Sequence, residues 1–404
     1  MKTLRATKDR FSNDDTAIEI FSKLPIEDVP QLKCVCKRWQ TLCSSPSFVT
    51  SHFQNSPGTI SGFFVQGHFY CICCERYLGL KAKKVSIIAS SNGVLLCRNF
   101  MRKSVPHNLP WSQKKDDPEK VVLYLCNPFT KEWMTLKPRG KYRTGCCFGL
   151  AYDPVGSSMI SKGSFFSFQV LMVQRPLQLG KDPYRFLIYS SMTGQWRRSK
   201  EVCALSHRLH LHQGCYANGF FYWLTTAHSV LSFNLKQEIS QVIKLPGHEN
   251  MGSDGTCLGV SEGKMHYIFF SMVELMVWVL HHEYSVPKWV LKHSKPLFEM
   301  PHPSLNDFER IQNWPADCNN HPSSLMCPYA FQDDVLFMEV RGSLCAYDIK
   351  TGNMEDVYDY FEELVGFMTP LTVLPYSKSL LQVRAKGYPF ARTYKKRKRT
   401  VGGA

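Results

Sequence analysis

The chain has 404 residues, of which 44% are hydrophobic, 13% aromatic and 20% charged. That composition excludes a disordered protein and leaves room for two or three domains, or for one small domain joined to a large repetitive one. The formal charge of +16 is lopsided, because Arg384, Lys386, Arg392, Lys395, Lys396, Arg397, Lys398 and Arg399 come after Leu381 with no acid among them, and the remaining +8 is too dilute for a concentrated nucleic-acid footprint.

The opening MKTLRATKDRFSNDD lacks the apolar run of a secretory signal. Residues 14 to 53 then read as helical. Ala17, Ile20, Phe21 and Leu24 recur at helical spacing, and Thr16 with Glu19 makes a capping box. Leu24-Pro25 ends that helix, since the residue before proline is driven out of the helical region. A second helix is predicted from about Glu27, with Pro30 in its first turn and Val29, Leu32, Val35, Cys36, Trp39, Leu42 and Cys43 along one face. Pro46 opens a third, running to about Phe53. A pair of helices this small does not bury its own apolar faces, and a linker at Asn55-Ser56-Pro57-Gly58 separates it from the remainder of the chain, so the expected destination of those faces is a partner's groove.

Beyond the linker the pattern becomes short β-rich runs in recurring pairs. GVLLC (93–97) leads to LYLCNPFTKEWMTL (123–136), FQVLMV (168–173) to FLIYSSMTGQW (186–196), and GFFYWL (219–224) to VLSFNLKQEISQVIKL (230–245). KMHYIFF (264–270) leads to MVWVLHHEYSVPKWVL (276–291), and DVLFMEV (334–340) to LCAYDIKTGNMEDVY (344–358). The second member of each pair is a hydrophobic strand, a polar turn and often an aromatic such as Trp133, Trp196 or Trp289. Such recurrence predicts the blades of a β-propeller, with five apparent units and a further candidate in GFFVQGHFYCICC at 62 to 74. The longest apolar window, Tyr267–Leu280, contains Glu274 and is too short to cross a bilayer, so no membrane association is expected.

Catalytic and metal motifs are weaker. Gly259-Val260-Ser261-Glu262-Gly263 fits the pattern of a nucleophile elbow but runs directly into a β-rich segment, and it reads as a hairpin turn. His207, His210 and His212, and the group His68, Cys71, Cys73 and Cys74, lack a second ligand pair at zinc spacing. Cys34 and Cys36 point apart on an ideal helix. No metal or other cofactor is expected, and the sixteen cysteines read as buried small hydrophobes of a reducing compartment. The run Lys395, Lys396, Arg397, Lys398 and Arg399 has the density and position of a nuclear import signal.

IEIFSKLP (18–25), LKCVCKRW (32–39) and SPSFV (45–49) together resemble an F-box, and NPFTKEW (127–133) and YDP (152–154) are similar to the F-box-associated, kelch-like region of plant F-box proteins. The resemblance implies an α+β multidomain chain: a leader at 1–13, a small helical F-box module at 14–54, a linker at 55–60, an all-β kelch-like propeller at 61–383 and a basic tail at 384–404. It implies a non-catalytic substrate receptor of a ubiquitin ligase. The F-box would dock on a Skp-type adaptor and, through it, a cullin, while the propeller holds an unidentified target protein. The residues carried over to the adaptor contact are Ile20, Phe21, Leu24, Pro25, Val29, Leu32, Val35, Cys36 and Trp39. The chain departs from the family at Phe11-Ser12-Asn13-Asp14, where a Leu-Pro pair is usual, and at Pro30. Three alternatives stay open: a non-ligase interaction protein with a decayed F-box, a basic nucleic-acid-associated protein, and a propeller enzyme with its site at the central channel.

Overall fold

A computed structural model describes residues 14–55, 60–66, 85–99, 122–136, 145–153, 167–210, 214–247, 255–271, 274–282, 286–301, 326–340, 343–359 and 372–383. The leader and the basic run Lys395–Arg399 lie outside them, as do His68, Cys71, Cys73, Cys74 and His212.

Four helices open the chain: α1 (Asp14–Phe21), α2 (Val29–Val35), α3 (Lys37–Leu42) and α4 (Pro46–Asn55). Pro30 sits in the first turn of α2, where its missing N–H costs nothing. Two expectations need correction. Thr16 lies inside α1, so it is not the residue that caps it. The single second helix is broken at Cys36, whose extended backbone (φ −159°, ψ 163°) ends α2 and starts α3. The Cys36 thiol takes over the capping task, its Sγ accepting from the Trp39 N–H at 3.4 Å.

After β1 (Gly62–Gln66) come five four-stranded antiparallel meanders, the fourth and fifth joined through their first strands into one eight-stranded sheet. The first blade is β2 (Val85–Ser91), β3 (Val94–Asn99), β4 (Leu123–Asn127) and β5 (Glu132–Leu136). The second is β6 (Cys147–Asp153), β7 (Ser167–Gln174), β8 (Tyr184–Ser190) and β9 (Gln195–Cys203). The third is β10 (Cys215–Ala217), β11 (Phe220–Leu224), β12 (Ser229–Asn234) and β13 (Ile239–Lys244). The fourth is β14 (Thr256–Ser261), β15 (Lys264–Phe270), β16 (Glu274–His281) and β17 (Lys288–Pro296), and the fifth is β18 (Met326–Gln332), β19 (Val335–Val340), β20 (Ser343–Asp348) and β21 (Met354–Asp359). The last strand, β22 (Thr372–Tyr376), pairs antiparallel with β1.

The first strand of each sheet lies beside the first strand of the next, in the order β2, β6, β10, β14, β18, β22 and back to β2. The described strands therefore form a closed ring of six positions, the sixth filled by the two ends of the propeller region. Gly62–Gln66 belongs to that sixth position, as the run beginning at residue 62 suggested.

Two turns recur and explain why the repeats are visible in the sequence. Between the first and second strands, Asn92-Gly93, Asn218-Gly219, Glu262-Gly263 and Asp333-Asp334 all have positive φ at both positions, the geometry of a two-residue hairpin that continues the strand twist. Glu262-Gly263 is thus the expected hairpin turn. Between the third and fourth strands, Asn127, Asn234 and Asp348 each use one side-chain oxygen to accept two backbone N–H groups of the turn, at 2.8 to 3.3 Å. Ser190 supplies the same bond to Met192 N in the second blade.

Candidate adaptor-docking surface

Each helix divides its residues between two environments. Ala17, Phe21, Val29, Leu42, Cys43, Phe48 and Val49 are buried, and they belong to one continuous hydrophobic cluster with Val94 and Leu125 of the first blade, Val170 and Met172 of the second, and Leu381 and Val383 beyond β22. The inward faces of the helices are therefore spent inside the protein and not in a partner's groove, contrary to the expectation drawn from the linker. The α1–α2 corner is held by α4, with Asn55 Nδ2 donating to Ser22 Oγ at 2.8 Å and His52 Nε2 lying 3.1 Å from the Leu24 carbonyl. Burial pushes the His52 imidazole below its ordinary value.

The nine residues carried over to the adaptor contact separate accordingly. Phe21 and Val29 are buried, with Phe21 meeting the Trp39 ring edge-on at 4.6 Å. Leu24, Leu32 and Trp39 are half-buried and pack against the shared cluster. Pro25 and Cys36 are exposed, as are Ile20 (45%) and Val35 (61%), large aliphatic side chains facing outward from a folded module. Arg38 Nη2 reaches Asp14 Oδ1 at 2.8 Å and fixes α3 against α1.

A strap that no sequence motif marks orients the module. Residues 377–383 run across the end of the ring that carries the tight turns. Gln332 Nε2 donates to Ser377 Oγ at 3.3 Å, Asn127 Nδ2 to the Ser379 and Leu381 carbonyls at 2.8 Å each, and the Tyr152 hydroxyl to the Gln382 carbonyl. Lys378 Nζ meets Glu27 Oε1 of the helical module at 2.7 Å and holds that carboxyl below the usual range. The helices therefore sit at the tight-turn end. The one sequence signal that bears on the strap is the capping asparagine of NPFTKEW, which has donors left over after making its turn.

Comparisons with known proteins agree with this architecture. Residues 70–304 match the family described as F-box protein At3g26010-like, beta-propeller, and residues 13–51 match the F-box domain. The chain belongs to this family. Among curated relatives from Arabidopsis thaliana, F-box protein At5g49610 is 26% identical over 303 residues, covering 68% of this chain and 76% of that protein. F-box/LRR-repeat/kelch-repeat protein At2g27520 is 23% identical over 243 residues (57% and 60%), and F-box protein At5g07610 is 25% identical over 265 residues (59% and 57%). The chain thus spans less than two thirds of the latter two. Kelch repeats enter through the names of some relatives; the family matched is a β-propeller one.

Enzymatic features are sparse where the F-box propeller would carry them. The six ring-lining strands contain one carboxylate, Asp153, and no histidine. His207 is exposed and His210 half-buried, and no group of His, Cys, Asp and Glu among the described residues has the arrangement of a metal site. No described helix is long and apolar enough to cross a membrane.

Proposed function

We propose that this F-box propeller protein is a substrate receptor of a Skp-cullin-F-box ubiquitin ligase and does no covalent chemistry of its own. The observation that carries the reading is the division of the helical module. One face is committed to the propeller while Ile20, Pro25, Val35 and Cys36 remain outward, which suits a Skp-type adaptor docking on a rigidly mounted platform. The target would bind at the other end of the ring, where the second-to-third-strand and blade-to-blade connections leave. A fixed geometry of this kind raises the target's effective concentration beside the ubiquitin-charged enzyme. The basic run Lys395–Arg399 serves as a nuclear import signal, checked by locating a fluorescent fusion before and after its replacement by alanine.

The test of the ligase reading is calorimetric titration of purified full-length protein with a Skp-type adaptor. The parent should bind, and Ile20→Glu combined with Val35→Glu should weaken binding at least tenfold without changing the melting temperature, since neither side chain is in the core. A parent that does not bind would place the protein outside any ligase.

A further inference from the structure

We propose that the outer edge of the second blade, at the end of the ring away from the helices, is the docking surface for an acidic segment of the target protein. Arg175, Arg185, Arg198 and Arg208 would meet its carboxylates or phosphates. The proposal deepens the substrate-receptor reading and rests on it.

The location comes from strand direction. Antiparallel alternation puts the tight turns and the strap at one end of each blade, and the β7–β8 turn and the segment between β9 and β10 at the other. Arg175 comes just after Gln174, the last residue of β7, which is directly opposite Arg185 on β8. Arg198 on β9 is opposite Leu187, two residues along β8 from Arg185 and just past a register shift in the β8–β9 pairing. Arg208 is fixed from the third blade, its carbonyl accepting from Thr226 N at 2.9 Å and its N–H donating to Thr226 Oγ1 at 3.3 Å. Tyr184, whose hydroxyl donates to the His207 carbonyl at 2.9 Å, marks how close two of these charges lie. Burial and the neighbouring Cys147 thiol push that phenol up to about 12, while Arg175 and Arg208 both pull it down.

Nearby acids are engaged elsewhere. Asp182 accepts from Gln178 N at 2.9 Å within the β7–β8 turn, and Glu201 turns to Ser240 of the third blade. Arg197 pairs with Glu238 at 2.6 Å, whereas the four arginines of the patch have no acidic partner among the described residues. Planar guanidiniums in a cluster suit bidentate recognition of carboxylate or phosphate. In the same turn Leu177 and Leu179 are exposed, which offers aliphatic anchors beside the charge. Tyr184 and Trp196 are buried, so neither offers a face on which a nucleic-acid base would stack, and the observations favour a peptide.

The experiment is fluorescence anisotropy with the full-length protein and four labelled probes. These are a peptide alternating glutamate and leucine, the same peptide with phosphoserine for glutamate, its lysine counterpart, and single-stranded oligothymidylate. One or both anionic peptides should bind in a salt-dependent way, the tighter of the two identifying carboxylate or phosphate as the target's chemistry, and the lysine peptide should not. Arg185→Glu/Arg198→Glu/Arg208→Glu should weaken binding at least tenfold, while Lys236→Glu/Lys244→Glu/Lys288→Glu, an equal charge change on the third and fourth blades, should leave it within twofold. Equal losses in both variants, no binding of either anionic peptide, or oligothymidylate binding more tightly than the peptides and through the same arginines would each overturn the proposal. Unchanged adaptor binding by the arginine variant separates this outcome from failure of the ligase reading. If the triple variant does not fold, Arg185→Glu and Arg208→Glu are compared singly.

Discussion

The ring is sealed in two physically different ways. Between the fourth and fifth blades the contact is backbone on backbone, with β14 and β18 pairing in parallel at Gly259–Phe331 and Val260–Gln332 and merging the two blades into one eight-stranded sheet. A buried carboxylate reinforces it, since Asp334 accepts from Ser261 Oγ and Lys292 Nζ at 2.7 Å each and meets Lys350 Nζ at 2.6 Å. Between the first blade and the closing strand pair the contact is made by side chains, with Phe64 and Tyr376 packed against Ile87, Leu95 and Cys97, and just beyond β22 Asn127 tethers carbonyls more than 250 residues away. Among the described blades only the fourth and fifth are joined backbone to backbone. Closure between the two ends of the propeller region combines the β1–β22 pairing with the apolar cluster around Phe64 and Tyr376, and the Asn127 amide adds two bonds to carbonyls that carry no side-chain signature of their own.

Breaking the first seam has the largest expected effect. A Cβ on Gly259 would fall inside the contact radius of the Phe331 carbonyl oxygen, which is backbone and does not give way. Gly259→Ala should cost about 3 kcal/mol and be visible as a lower urea midpoint. A midpoint within experimental error of the parent would mean that the parallel pairing contributes nothing. Breaking the second seam comes next. Asn127→Ala removes two donors to buried carbonyls and the cap of the β4–β5 turn, a loss of about 2 kcal/mol. Limited trypsinolysis should then cut after Lys378 faster than in the parent; equal resistance would show that the strap's other contacts, among them Leu381, Val383 and the Tyr152 bond to Gln382, hold it without the amide.

The contrast between local and distant contacts also separates what is legible in the sequence from what is not. The helical module is legible because its amphipathic spacing and prolines act locally, although the break at Cys36 is not: nothing in LKCVCKRW distinguishes a cysteine packing along a helix from one that caps the next. The blades are legible through their second, third and fourth strands, where apolar runs meet the asparagine, serine or aspartate that closes each turn. Their innermost strands, such as CFGLAYD and TCLGVS, escape because they are buried on both sides and have no alternation. The docking surface is legible as nine residues but not as a division between them. Phe21 packs into the cluster shared with the blades and the strap while Ile20 faces outward, and those partners lie far away in the sequence.

A third test sharpens the first seam by pH. His266 on β15 is buried, its Nδ1 lies 3.0 Å from the Lys264 carbonyl, and its Nε2 faces Lys292 Nζ, the group that also holds Asp334. Burial, with repulsion from Lys292, lowers its pKa from 6.5 to about 4, against the opposing pull of Asp334, Glu262 and the Lys264 carbonyl. The unfolded chain binds this proton below about pH 6.5 and the folded chain does not, so stability falls as pH drops from 6.5 to 4, by about 3 kcal/mol. Asp334 acts in a separate window. Burial alone would raise it, but the Lys292, Lys350 and Ser261 bonds outweigh that and hold it below its ordinary 3.8, so its contribution is present above about pH 4 and lost only below. His266→Gln should flatten the upper window and leave the lower one; an unchanged slope between pH 6.5 and 4 would assign the loss to other groups.

The smallest effect concerns the turn that recurs around the ring. Its last residue has positive φ in four blades: Lys131 (57°), Gly194 (66°), Glu238 (55°) and Gly352 (75°). Two blades therefore use glycine, which suffers no Cβ clash there, and two hold a side chain in a region that costs an L-residue about 1 kcal/mol. Glu238 gains an ion pair with Arg197 in exchange. Lys131 is exposed and has no ion pair among the described residues, so Lys131→Gly should relieve the strain and lose only the extra freedom of an unfolded glycine, for a net stabilisation of about 0.5 kcal/mol. The reverse change, Gly194→Lys, should destabilise by about 1 kcal/mol for the same reason. Opposite signs in paired urea titrations would show that the recurrent geometry, and not the particular side chain, sets the energy of this corner in the four blades that share it; equal signs would mean that each corner answers to its own surroundings.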